Sequence, residues 1–72
     1  MYIIVLYNEA GTSFICGGTY RINETRYARA SHFFADAKRF KTAARAAAYA
    51  ERLSKKCCNL SRTDNYDIVE IE

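Results

Sequence analysis

The run Tyr2-Ile3-Ile4-Val5-Leu6-Tyr7 carries no charged side chain at any position. Successive residues of a strand point to opposite faces, so a run apolar at every position must be covered on both. Its β-branched and aromatic residues favour that extended form. The run is therefore expected at the centre of a sheet, and a chain of 72 residues must find two covers for it. A chain of this size buries only ~60% of the surface it exposes unfolded, so residues 1–72 form one domain with one small core. Half of the residues are hydrophobic and 26% are charged, the composition of a folded domain. Multistep catalysis in a deep cleft is not expected of so small a body.

Asn8-Glu9-Ala10-Gly11-Thr12 reads as a turn, and Ser13-Phe14-Ile15-Cys16 as the returning strand of a hairpin. Gly17-Gly18 ends or bulges that strand. The stretch 19–35 reads as a loop with short extended pieces. Thr19 to Ile22 can continue the second strand past a bulge, and Tyr27 to Phe33, which alternates only weakly, can form a third strand or a structured loop, the loop being the favoured reading.

The clearest element follows. Thr42 is placed to cap a helix from Ala43 to Lys56, a run rich in alanine and free of helix breakers. Ala43, Ala46, Ala50, Leu53 and Cys57 follow the three-and-four spacing of a buried stripe. Small side chains there let the helix lie close to a sheet. Arg45, Arg52 and Lys56 fall on one outward line, Glu51 and Lys55 are spaced to pair, and Asn59 is placed to end the helix. Ser61 to Asn65 is a polar loop. Tyr66 to Glu72 is a last strand, with Val69 and Ile71 expected toward the helix and Glu70 and Glu72 toward water.

The order strand, strand, helix, strand gives an α+β fold: a small antiparallel sheet with one alanine-rich helix on one face. The second face of the first strand, carrying Ile3, Val5 and Tyr7 or their alternates, then needs either the 19–35 segment folded over it or a second copy of the chain. A homodimer is accordingly one expected assembly, the more so because the last strand leaves a sheet edge open.

Charge is distributed in blocks. Residues 1–20 carry a net −1, residues 21–62 a net +8, and residues 63–72 a net −4. A basic centre points to an acidic partner. From its leading edge onward, Tyr20, Arg21, Arg26, Tyr27 and Arg29 interleave arginine with aromatic rings, and Arg39, Lys41, Arg45, Arg52 and Lys56 extend the series. Arginine grips phosphate or carboxylate bidentately, and tyrosine and arginine are enriched where proteins meet. These ten residues are the expected partner-binding surface. Aromatic rings also stack on bases, so a small nucleic-acid-binding module is the alternative.

Other chemistry finds little support. Cys16 with His32 lacks a third group to orient the imidazole, and a buried cysteine ordinarily serves as a small hydrophobe. Cys57, Cys58 and His32 lack metal-knuckle spacing, because the two cysteines are adjacent. Gly17-Gly18 lacks the lysine and helix of a phosphate-cradling loop. No catalytic, metal or cofactor site is expected. The thiols suit a reducing cytoplasm. Tyr2 to Tyr7 lacks the basic lead-in of a secretory leader and is too short for a membrane span, so no membrane association is expected.

The run Ala37-Lys38-Arg39-Phe40-Lys41-Thr42, with Ala43-Ala44-Arg45-Ala46 after it, resembles an A-x-x-F-x-T-x-x-x-A pattern of short bacteriophage and prophage accessory proteins. The first strand, Phe40, Thr42 and the helix match, roughly half of the chain; the basic segment 21–34 departs from the pattern. The pattern is one of packing and transfers no functional residue. The resemblance implies a class that includes host-takeover and anti-defence proteins, among them anti-CRISPR proteins, which occlude a larger host machine rather than perform chemistry. The expected function is a non-enzymatic inhibitor of that kind, acting on a host protein or nucleoprotein complex with an acidic surface.

Overall fold

The computed structural model describes residues 1–8, 11–57 and 65–71. Strands β1 (Tyr2–Asn8), β2 (Gly11–Ile22) and β3 (Thr25–Ser31) come first. A single 3-10 turn (Phe34–Asp36), helix α1 (Ala43–Lys56) and strand β4 (Tyr66–Glu70) follow. The sheet order is β3-β2-β1-β4, with every neighbouring pair antiparallel. The α+β architecture, the antiparallel sheet and the helix on one face are as the sequence predicts, and β1 is interior. No helix among the described residues is long and apolar enough to cross a membrane.

Alternation along β1 divides its side chains between two cores. Ile4 and Leu6 pack under the helix with Ile15, Phe40, Ala46, Ala50 and Leu53. Ile3 and Val5 pack on the far side with Ala37, flanked by Phe14, Val69 and Ile71. The far side is thus closed by the chain itself, through the segment that follows the 3-10 turn, while Tyr7 stays exposed. Burial of Ile3 and Val5 requires no second copy.

A split in the sheet makes that cover possible. Gly17 and Gly18 have φ of 97° and 78°, a region glycine enters without steric cost, and the β2–β3 register shifts between Ile15 and Thr19. Beyond this bulge β2 pairs with β3 and no longer with β1. The vacated flank is taken by the segment leading into the helix. Lys38 N–H donates to the Ile15 carbonyl at 2.9 Å, and Phe40 and Tyr2 exchange two backbone hydrogen bonds at 2.8 Å. Ala37 belongs to the far core and Phe40 to the helix-side core, so the chain crosses the sheet between them.

Two expectations are corrected. The stretch 19–35 is no loop for most of its length. Thr19↔Ala28, Tyr20↔Tyr27, Arg21↔Arg26 and Ile22↔Thr25 pair as a regular hairpin, and β3 is a full third strand. Asn23 and Glu24 turn it with φ of 48° and 70°, both central residues having the positive φ of a type I′ turn. The turn hid from sequence inspection because glutamate stands where glycine is usual. Val69 and Ile71 do not face the helix. The register sets Val69 opposite Ile3 and Ile68 opposite Ile4, and opposed residues share a face, so Tyr66 and Ile68 take the helix side.

The helix follows its local signals. Thr42 Oγ1 accepts a hydrogen bond from Arg45 N–H at 3.1 Å, capping an otherwise unsatisfied donor. Ala46, Ala50, Leu53 and Cys57 are buried, whereas Ala43, at the first helical position and ahead of the buried stretch, is exposed. Glu51 and Lys55 approach to 3.9 Å as an exposed pair. The expectations for Cys58, Asn59, residues 61–64 and Glu72 lie outside the described residues.

Two substitutions test this architecture. Glu24→Gly relieves the left-handed backbone at the hairpin turn and is expected to stabilise the fold by about 1 kcal/mol. In a domain this small that raises Tm by roughly 4–8 °C, measured by circular dichroism. Ala50 is fully buried under the sheet. Ala50→Leu forces helix and sheet apart and is expected to cost ~1–3 kcal/mol by denaturant titration.

Candidate docking surface

Past the bulge, the β2–β3 hairpin carries its residues in two sets. Ala28 packs into the helix-side core, so Arg26, two positions away, and its partner Arg21 stand on that side with Thr19. Tyr20 and Tyr27 stand on the other side, their rings stacked with centroids 5.5 Å apart and planes 23° apart. Strand alternation therefore sets Arg21 and Arg26 on a basic face, away from the two tyrosines, while Arg29, two positions from Tyr27, stays on the tyrosine face.

The basic face meets the helix across an open groove of about 260 Å³, lined by Thr19, Arg26, Tyr49, Arg52, Leu53 and Lys56. Arg26 comes from the hairpin, and Arg52 and Lys56 from the helix. Tyr49, Arg52 and Lys56 are spaced three and four residues apart and so share one helix face. Tyr49 ties the two walls together: its hydroxyl accepts a hydrogen bond from Gly18 N–H at 3.2 Å. Its ring packs on Phe40 at 5.3 Å between centroids, with Lys38 Nζ 5.7 Å and Arg52 Cζ 6.0 Å from the ring centre. Glycine at 17 is required by its backbone φ of 97° and not by space, because a Cβ there would make ordinary contacts, with Lys38 Cδ at 3.5 Å and the Tyr49 hydroxyl at 3.9 Å.

Among the described residues, no carboxylate lines the groove. Arg21 and Arg26 are also directly opposed across the hairpin, an arrangement that repels. The groove thus gathers positive charge without a lining acid, and an anion placed in it would relieve that repulsion.

Of the ten expected binding residues, Arg26, Arg52 and Lys56 meet at the groove, and Arg21 stands beside them. Tyr20 and Tyr27 occupy the opposite face of the hairpin. Arg29 lines a separate hollow with Cys16, Ala30, Ser31 and Asp36. Arg39 lies 5.9 Å from the Phe34 ring centre. Lys41 and Arg45 are exposed at the start of the helix, outside the groove lining. Thr19, Tyr49 and Leu53 were not foreseen. Tyr49 was within reach of sequence inspection, since it falls on the Arg45, Arg52, Lys56 line, but Thr19 meets the helix only through the tertiary fold.

The far hollow is held by structural bonds. Ser31 Oγ–H donates to Asp36 Oδ2 at 2.7 Å, and Phe33 N–H donates to Ser31 Oγ at 3.1 Å, which fixes the exit from β3. His32 Nδ1 lies 3.4 Å from the Thr12 carbonyl and does not line the hollow around Cys16. The described residues hold no group of three His, Cys, Asp or Glu side chains arranged for a metal ion. No protein-family model, no curated protein and no solved structure matches the chain.

Proposed function

We propose that the chain is a binding protein that works by occupancy rather than chemistry, docking its basic groove and hairpin on an acidic surface of a larger partner. The observation that carries this reading is the convergence of Arg26, Arg52 and Lys56 from two elements on one groove with no lining carboxylate among the described residues. Guanidinium groups pair bidentately with carboxylates, and Tyr49, in the same groove lining, supplies aromatic contact area. The partner's own ligand is then excluded by competition.

A protein surface suits the hairpin better than a single nucleic-acid strand. Stacking on bases and gripping of phosphates work together when rings and cations share a face. Here Arg21 and Arg26, the arginines that oppose each other across the hairpin, stand on the face away from Tyr20 and Tyr27, and Arg29, which shares the tyrosine face, lines the hollow that holds Asp36. The resemblance of the Ala37–Ala46 run to short phage accessory proteins gives the docking a setting. In it, a phage-encoded, anti-CRISPR-like inhibitor in the bacterial cytoplasm covers a site on a host nucleoprotein complex. That setting rests on the resemblance alone.

The test is affinity capture from bacterial lysate before and after nuclease, with the double variant Arg52→Glu/Lys56→Glu alongside. Both positions are exposed on the helix, so the fold should persist by circular dichroism. The expected result is a protein partner that survives nuclease and whose recovery falls at least tenfold with the double variant. Recovery that vanishes with nuclease, or that ignores the charge reversal, overturns the reading.

A further inference from the structure

The groove has more structure than a docking surface requires. Two arginines, Arg26 and Arg52, one lysine, Lys56, and Thr19 line one volume of about 260 Å³. Three cations around one small volume call for a ligand with more than one negative charge. A carboxylate brings a single charge and two oxygens. A phosphomonoester brings close to two charges and three strong acceptor oxygens, which the forked arginine donors and the lysine can share.

The same groove has an apolar part, from Tyr49 and Leu53. Inorganic phosphate would leave that part unused, and it suits a flat, weakly polar body attached to the phosphate. The volume lies below the ~300–1,000 Å³ of clefts that hold drug-sized ligands, so one nucleotide unit fits where two would not. Tyr49 is also anchored at both ends, through its hydroxyl to Gly18 and its ring to Phe40, so the aromatic wall is pre-formed and the ordering cost of binding falls on the exposed Arg26, Arg52 and Lys56 side chains.

We propose that this groove is a binding site for a nucleoside 5′-monophosphate, its phosphate held by Arg26, Arg52 and Lys56 and its base and sugar laid along Tyr49 and Leu53. The inference rests on the same convergence of charge as the docking reading but requires no macromolecular partner. As a small-ligand site it would let a nucleotide compete with the docked partner for the same cations.

The test is calorimetric titration of the isolated chain with AMP, adenosine, inorganic phosphate and phenyl phosphate. Expected is AMP binding at one per chain, at least tenfold tighter than inorganic phosphate, with adenosine weaker still. Arg52→Gln and Lys56→Gln, tested separately, should each weaken AMP at least fivefold, with the helix intact by circular dichroism. AMP no tighter than phosphate, or unmoved by either substitution, overturns the proposal. So does phenyl phosphate binding more tightly than AMP, which would assign the groove to a phosphorylated aromatic side chain. The docking reading is judged separately. Partner capture through Arg52 and Lys56 with no AMP binding leaves docking intact, and AMP binding with no capture removes docking alone.

Discussion

Everything in this fold follows from the need to cover β1 on both faces with very little chain. One helix can cover one face. The other must be closed by a segment that then crosses to the first. β2 parts from β1 after Phe14, just ahead of the Gly17-Gly18 bulge, and Phe40 fills the gap with its backbone paired to Tyr2 and its ring in the helix-side core. Side chains at the two glycine positions would meet strained backbone, so the bulge is a requirement of the sequence rather than an irregularity.

The candidate site is a consequence of the same bulge. Once β2 leaves β1, its continuation is free to pair with β3 alone and to lean its basic face toward the helix. The hydrogen bond from Gly18 N–H to the Tyr49 hydroxyl links the bulge directly to the groove wall. Folding and site are therefore joined at one point: what lets the chain cross the sheet also brings Arg26 near Arg52 and Lys56. A domain this small has little stability to spare, and directly opposed arginines draw on it. Placing that repulsion beside a groove, not on a featureless face, gives the charge somewhere to act.

The parts of the structure that were legible in the sequence are those set by local chemistry. Thr42 capped the helix it was expected to cap. Ala46, Ala50, Leu53 and Cys57 lay on the stripe their spacing defined, and the wholly apolar first strand lay inside the sheet. What escaped depends on partners distant in sequence. β3 reads Thr-Arg-Tyr-Ala-Arg-Ala-Ser, too polar and too short of β-branched residues to declare itself, and it becomes a strand because β2 offers it a ladder. The face of Val69 is set by its register with Ile3, which β4 alone does not encode. The basic surface was half legible: the helix line of Arg45, Arg52 and Lys56 followed from spacing, but which of them meets the hairpin did not.

Strand alternation explains why the most suggestive sequence signal was the least direct. Tyrosine and arginine neighbours in a chain invite the image of one mixed surface, yet residues adjacent in a strand stand on opposite sides of the sheet. In this hairpin, Tyr20 and Arg21 point apart, as do Arg26 and Tyr27, and only Arg29 stays on the tyrosine face, so most of the interleaving in sequence becomes segregation in space. The cation–aromatic mixture is recovered from a different source. Tyr49 lines the groove with Arg26 and has Lys38 Nζ 5.7 Å and Arg52 Cζ 6.0 Å from its ring centre, which joins ring to charge by tertiary packing. The groove, and not the basic segment as a linear stretch, is the unit on which binding chemistry in this chain has to be argued.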